Sequence, residues 1–156
     1  MNDIALEWYS DLGFAEPAIV ANDLKPDDGL RTAILISLFT DRRAELGDIL
    51  PDLAADRRGW WADAVSEIEG DRIGSRLWLL ARSKRENQVL DRARQYVREA
   101  LAWLVEDRIC EDFTVAADWV DTRGDAFAIT GTGPRPGVDP ARWRFDFVWT
   151  TEASRE

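Results

Sequence analysis

The chain has 156 residues, enough for one domain that buries a core without disulfides or structural metals. With 30 acidic and 20 basic residues its formal net charge is −10, which argues against general binding to nucleic acid or to anionic membranes. It has no histidine and one cysteine. That excludes Ser-His-Asp and Cys-His catalytic sets, zinc sites built from these residues, and internal disulfides.

Residues 1–28 are predicted to form an extended N-terminal arm or a hairpin. Apolar residues alternate with polar or small ones over Ile4–Trp8, and Ala18–Val20 is a second apolar run. Asp11–Gly13 and Pro17 lie between the two runs and are typical of turns. The strand at Ile4–Trp8 has no evident partner in the sequence, so it is a candidate for strand addition to another subunit.

A first helix is predicted to begin after Asp27–Gly29 and to run from Leu30 to Leu38, where the apolar residues follow helical spacing. Residues 45–58 contain glycine, proline and several aspartates, and this composition predicts a loop. A short helix is then predicted from Arg76 to Arg82.

The segment Arg57–Leu80 is the most unusual part of the chain, because it holds two adjacent tryptophans, three glycines and four arginines. Tryptophan and arginine are enriched at the energetic centres of protein interfaces. Neighbouring side chains on a helix or strand point in different directions, so Trp60 and Trp61 are not expected to enter the same core together. Either one of them caps the core while the other awaits a partner, or the pair lies in a folded loop. Both are candidate partner-binding residues.

The clearest helix is predicted from residue 84 to residue 107. Ser83–Glu86 matches a capping box, in which the serine and glutamate side chains bond each other's backbone amides. One apolar stripe then follows helical spacing through Val89, Leu90, Ala93, Val97, Ala100, Leu101, Leu104 and Val105. Trp78 and Trp103 are predicted core residues, and Cys110 is predicted to be a small buried apolar residue.

The rest of the chain predicts an antiparallel sheet. Apolar residues alternate with others over Phe113–Trp119, resume at Phe127 and Ile129, and alternate again over Trp143–Trp149 with both tryptophans on the inner face. Three prolines within residues 131–141 argue against a strand interior there. A sheet packed on the long helix makes residues 29–150 one α+β domain, with residues 151–156 as a C-terminal tail.

No motif for a catalytic, cofactor-binding or metal-binding site is found. Gly131–Pro134 is rich in glycine but lacks the lysine and serine of a phosphate-binding loop. Asp63, Glu67 and Asp71 could share a helical face, yet their spacing lacks the dense oxygen pattern of a calcium loop and is typical of a solvated acidic face. A glycosidase needs two carboxyl groups across a cleft, and nothing in the sequence selects such a pair from 30 acids.

From about Leu30 to Trp149 the chain resembles the Mu-like phage tail protein family called gene product 46. The resemblance is carried by Gly59–Asp63 (Gly-Trp-Trp-Ala-Asp), Gly74–Leu80 (Gly-Ser-Arg-Leu-Trp-Leu-Leu) and Ala100–Leu104 (Ala-Leu-Ala-Trp-Leu), together with the helical stretch Leu30–Arg43. Gly-Trp-Trp and Gly-Ser-Arg-Leu-Trp are unusual combinations, so the match is specific. That family is similar to the small wedge protein of contractile-tail baseplates.

The resemblance implies a non-enzymatic structural subunit of a contractile phage or prophage baseplate, which joins wedge components and helps to start sheath assembly. Its partners would be other baseplate and sheath proteins, and its location the virion tail, after assembly in the bacterial cytoplasm. The wedge protein carries Glu-Pro-Arg at the end of its long helix as a contact to the wedge's helical bundle. Here Glu106 and Arg108 stand at that place with an aspartate between them, which makes them candidate partner-binding residues. The alternative is a lysozyme-like peptidoglycan hydrolase that uses paired carboxylates.

Overall fold

The computed structural model describes residues 3–9, 12–21, 23–24, 26–27, 30–51, 56–66, 70, 72–81, 83, 86–120, 126–135 and 138–148. The fold is of the predicted α+β class, with short paired strands at the N-terminus, helices in the middle and a three-stranded antiparallel sheet at the C-terminal end. In these ranges no helix has both the length and the apolar character needed to cross a membrane.

Six short strands form the N-terminal part of the chain: β1 (Asp3–Ile4), β2 (Leu6–Tyr9), β3 (Phe14–Pro17), β4 (Ile19–Val20), β5 (Asp23–Leu24) and β6 (Pro26–Asp27). They pair antiparallel as β1 with β6, β2 with β3, and β4 with β5. The expectation of an unpaired strand at Ile4–Trp8 is therefore wrong, whereas the hairpin alternative is confirmed. The pairing of β1 with β6 is a contact between distant residues that alternation alone does not reveal. The proposed division into an arm, a domain and a tail stays a prediction.

The N-terminal strands are attached to the rest of the chain through Trp8 and Thr32. The Trp8 ring stacks on Phe39 with ring centres 3.8 Å apart, and its indole N–H donates to the backbone carbonyl of Asp146 at 3.3 Å. The buried Thr32 hydroxyl accepts from the Leu6 amide and donates to the Ile4 carbonyl, each at 3.1 Å. These contacts hold the strands against the core.

Helix α1 spans Arg31–Phe39 and buries Ile34, Leu35 and Leu38, as its periodicity predicts. It begins at the N-cap Leu30, whose side chain makes no capping hydrogen bond, while Asp28 and Gly29 lie outside the described residues. The predicted loop follows over residues 45–51 and 56–58, and the predicted short helix near Arg76 is a 3₁₀ turn, Leu77–Leu80.

The single helix predicted over residues 84–107 is wrong in its bounds and in its continuity. In the structure this stretch contains two helices, α2 (Asn87–Ala100) and α3 (Trp103–Glu106). The amides of Leu104 and Val105 bond to carbonyls three residues back rather than four, which tightens the backbone between the helices. Leu104 consequently stays buried, while Val105, predicted to lie on the apolar stripe, is 40% exposed. The predicted capping box is also wrong, because Glu86 is itself the N-cap and makes no side-chain capping bond.

The C-terminal sheet has the order β7 (Thr114–Trp119), β8 (Ala126–Arg135), β9 (Val138–Val148). The expectation that residues 131–141 interrupt the strands is wrong, since β8 continues to Arg135 and β9 starts at Val138. Gly133 pairs with Ala141 and Arg135 with Val138, so Pro134 lies in a β-bulge, where the missing amide is tolerated. The predicted turn at residues 121–125 lies outside the described residues.

The core lies between α1, α2 and the inner face of this sheet. Val115, Ala117, Phe127, Ile129, Trp143 and Phe145 supply that face, and Cys110 is buried as predicted. Gly131 pairs with Trp143, and a Cβ at Gly131 would lie 2.0 Å from the indole ring, so the glycine makes room for the tryptophan. The predicted inward position of Trp149 lies outside the described residues.

Candidate partner-binding site

The Gly-Ser-Arg-Leu-Trp element is attached to the end of α1 by backbone hydrogen bonds. The Ser75 amide donates to the Thr40 carbonyl, and the Arg42 amide donates to the Ser75 carbonyl, both at 2.9 Å. Gly74 has a φ of +95°, and a Cβ built there would lie 2.3 Å from the Thr40 carbonyl oxygen. This position therefore requires glycine for its backbone angle and for its space.

Trp78 is a core residue, as predicted. Its indole contacts Arg42 after α1 and Arg58 in the Arg-Arg-Gly sequence that precedes the tryptophan pair. Its indole N–H donates to the Arg42 carbonyl at 2.8 Å. The Arg58 guanidinium lies 4.5 Å from the centre of the indole ring and pairs with Asp41 at 2.8 Å. A carboxylate and an aromatic face together hold this arginine.

Arg76 is buried at the centre of a charge network. Its guanidinium bonds to Asp48 at 3.0 Å and to Glu99 at 2.6 Å, and it lies 4.8 Å from the Tyr96 ring centre. Burial acts to lower the pKa of Arg76, but its hydrogen bonds to Glu99 and Asp48 outweigh that effect and raise the pKa above its ordinary value. The network joins the 45–48 loop to α2, so Arg76 stabilises the fold itself.

The paired tryptophans lie on a 3₁₀ turn, Trp61–Ala64, for which Trp60 is the N-cap. Trp60 is 43% exposed and Trp61 is 76% exposed, and their ring centres lie 5.8 Å apart. Neither ring belongs to the buried core cluster. Of the two alternatives, the pair in a folded loop segment therefore describes them better than one ring capping the core.

Glu106 and Arg108 are exposed at the end of α3. Arg108 has a φ of +58°, the left-handed region that usually holds glycine after a helix. Its amide bonds to the Val105 carbonyl at 3.0 Å, and the Ile109 amide bonds to the Leu104 carbonyl at 2.9 Å, which is the Schellman pattern of helix ends. An arginine is thus held where the backbone prefers glycine.

An open groove of about 1010 Å³ brings two of the four predicted residues together, since Trp60 and Glu106 both line it. Trp61 and Arg108 are not among its lining residues. Trp103 lines it as well, half-buried rather than fully buried as predicted, with its indole N–H donating to the Ser37 hydroxyl at 3.2 Å. Residue type made Trp60 a candidate and the resemblance made Glu106 one, but the sequence did not indicate that the two residues line one groove.

Asp63 is a groove residue that the sequence did not single out for binding. One carboxylate oxygen accepts from the Ile73 amide at 3.2 Å. The other is shielded from solvent and has no hydrogen-bond partner among the described residues. Glu67 and Asp71, which could share a helical face with it, lie outside those residues, and the described part of the chain has no cluster of three acidic or cysteine side chains placed to hold a metal ion.

Replacing Arg108 with glycine is expected to raise the free energy of unfolding by about 0.5–1 kcal/mol, because glycine adopts a positive φ without strain. Urea unfolding followed by tryptophan fluorescence measures the change. The control is Arg98→Gly in the last turn of α2, where the same substitution is expected to destabilise by about 1 kcal/mol. A loss at Arg108 equal to that at Arg98 would show that contacts of the Arg108 side chain outweigh its backbone strain.

Comparison with known proteins identifies the family of the chain. A family model described as phage protein GP46 matches residues 30–136. Baseplate protein gp46 of Escherichia phage Mu is 50% identical over 105 residues, which cover 67% of this chain and 68% of that protein. The Mu-like prophage FluMu protein gp46 of Haemophilus influenzae is 38% identical over 117 residues, 75% of this chain and 76% of the relative. No solved structure matches significantly. The match covers the Gly-Trp-Trp turn, the charge network and the groove, and the chain belongs to the phage GP46 family.

Proposed function

We propose that this chain is a non-enzymatic structural subunit of the baseplate of a contractile phage or prophage tail. The observation that carries the proposal is the 50% identity to a relative named as a baseplate protein. In that role the chain joins wedge components and helps to start sheath assembly, within the virion tail and after assembly in the host cytoplasm. Its partners are other baseplate and sheath proteins.

Two exposed features support a contact role for the surface around the groove. Trp60 and Trp61 together present a large aromatic area to solvent, and aromatic residues anchor many interfaces. Glu106 and Arg108 lie at the end of α3, where charged groups can make charge-assisted hydrogen bonds to a partner. The positive φ of Arg108 supports a contact role for this residue, since backbone strain of this kind is concentrated at functional sites.

The peptidoglycan hydrolase alternative is not proposed. It requires one carboxyl group in an apolar pocket and a second across a cleft. In the described ranges the buried polar residues are Thr32, Ser37, Ser75 and Arg76, and none of them is an acid. No observation favours this alternative.

The proposal is tested by co-expressing the tagged chain with the products of the neighbouring tail genes. Wild-type protein is expected to retain at least one of them through size-exclusion chromatography. Trp61→Ala and Arg108→Ala are each expected to weaken that retention at least about tenfold, as loss of an interface anchor does. The measurement is the apparent dissociation constant by biolayer interferometry.

The matched controls are Leu46→Ala for the exposed apolar residue and Arg144→Ala for the exposed arginine. Both are expected to bind like wild type. If wild type retains none of the tail proteins, the baseplate role is wrong. If wild type binds and both Trp61→Ala and Arg108→Ala bind equally well, the role stands and the contact residues are wrong.

A further inference from the structure

We propose that the groove between the Trp61–Ala64 turn and α3 binds an arginine side chain from a partner protein. The inference rests on the proposed function, since it assigns a chemistry to the surface through which the subunit meets its partner.

The charge of the groove favours a cation. Its lining holds four carboxylates, Asp63, Glu99, Glu106 and Asp107, and two guanidinium groups, Arg42 and Arg72. Arg42 already pairs with Glu99 at 3.4 Å, and Arg72 is exposed. The net charge of the whole chain is −10. An anionic or purely apolar ligand would meet uncompensated negative charge here.

Trp60 and Asp63 provide the two groups that recognise a guanidinium. They lie three residues apart in the chain, and the Asp63 amide donates to the Trp60 carbonyl at 3.2 Å, which holds the two residues close together. Both residues line the groove. The shielded oxygen of Asp63 has no hydrogen-bond donor among the described residues, and a buried acceptor of this kind is stabilised when a donor reaches it.

The molecule binds two of its own arginines in the same way. Arg58 lies over the Trp78 ring at 4.5 Å while pairing with Asp41, and Arg76 lies 4.8 Å from the Tyr96 ring centre while pairing with Asp48 and Glu99. In both cases one guanidinium contacts an aromatic ring and a carboxylate at once, a combination that suits its planar, forked geometry better than the point charge of a lysine ammonium. Trp60 and Asp63 provide the same two kinds of group in the lining of the groove.

The inference is tested first with a small probe, N-acetylarginine amide, titrated into the full-length protein and followed by the indole N–H signals of Trp60 and Trp103 in NMR spectra. These signals are expected to shift in a saturable way. N-acetylcitrulline amide has the same shape without the charge and is expected to bind at least about tenfold more weakly. Equal binding of the two probes, or no shift at Trp60, would overturn the proposal.

Variants of the groove test which residues bind the arginine probe. Asp63→Asn keeps a carbonyl for the Ile73 amide and is expected to weaken the arginine probe at least about fivefold, while Asp118→Asn, an exposed acid on β7, changes the net charge equally and is expected to leave it unchanged. An equal loss in both variants means that only net charge acts, and the proposal fails. If Asp63→Asn does not fold, Trp60→Leu replaces it with the Trp103 signal as the readout, and Phe14→Leu, an exposed aromatic residue on β3, is the control.

Partner binding distinguishes this inference from the baseplate role. If wild-type protein retains a tail protein and Asp63→Asn retains it equally well, the arginine assignment is wrong and the role stands. If no tail protein is retained although the probe binds with the expected selectivity, the role is wrong and the chemistry of the groove stands. Loss of retention in Asp63→Asn but not in Asp118→Asn supports both.

Discussion

Replacing Gly74 with alanine is expected to lower the free energy of unfolding by about 3 kcal/mol or more. Part of this loss comes from the φ of +95°, which costs a residue with a side chain about 1–2 kcal/mol. The rest comes from the new Cβ, which would lie 2.3 Å from the Thr40 carbonyl oxygen. To relieve that overlap, the backbone hydrogen bonds that join Ser75 to Thr40 and Arg42 must lengthen or break.

Gly70→Ala is the matched control, because Gly70 has a φ of +84° and no described atom within 4 Å of a built Cβ. It is expected to lose only the conformational part, about 1 kcal/mol. Urea unfolding of both variants measures the difference. Equal losses would show that the close approach to Thr40 contributes nothing and that Gly74 is required for its backbone angle alone.

Replacing Arg76 with methionine is expected to destabilise the protein by about 3–5 kcal/mol, since removal of one partner from a buried ion pair leaves the other charges uncompensated. Asp48 would lose its guanidinium partner, Glu99 would keep only its longer contact to Arg42 at 3.4 Å, and the Tyr96 ring would lose the cation beside it. Methionine keeps much of the apolar stem, so the loss reports mainly on the charged group. Urea unfolding measures the change, with circular dichroism to establish that the variant is folded.

Arg144→Met is the control for Arg76. The two side chains of its ion pair with Asp146 are 58% and 41% accessible, although the Asp146 oxygen in the pair is shielded, and pairs between accessible side chains contribute less than about 1 kcal/mol. Both substitutions remove one positive charge from an acidic protein, so a general charge effect would appear in both. A similar small loss in the two variants would contradict the structural importance of the Arg76 network.

Local patterns predicted the elements of this fold well where the neighbours that matter are close in sequence. Helical spacing placed α1 and the apolar stripe of α2, and alternation placed β7 and the inner-facing Trp143. The errors had two sources. Pro134 is accommodated because β8 and β9 pair around a bulge, which is a contact between strands. Val105 is exposed where the local backbone tightens before α3, which the helical spacing did not indicate.

For the candidate site, too, residue types could be read from the sequence, whereas contacts between distant residues could not. Residue type indicated Trp60 and Trp61, and the resemblance to the wedge protein implied Glu106 and Arg108. The partner-binding role of all four stays a prediction. Asp63 could not be singled out, since it is one of 30 acids and only burial distinguishes its free oxygen. The contacts of Arg58 and the burial of Arg76 could not be assigned from the sequence, because their aromatic and carboxylate partners come from other parts of the chain.

The sequence by itself determined the class of the protein: an acidic α+β chain without histidine and with the aromatic and glycine elements of a phage family. Composition and periodicity suffice for the charge and the fold class, because they depend on residue type and on neighbours within a few positions, whereas the family was implied by the resemblance of short sequence elements. Only the tertiary structure decided which arginines are buried, that the N-terminal strands are paired, and that Trp60 and Glu106 line one groove. These outcomes depend on which distant side chains the packed core brings within a few ångströms of each other. The spacing of residues along the sequence does not specify those contacts.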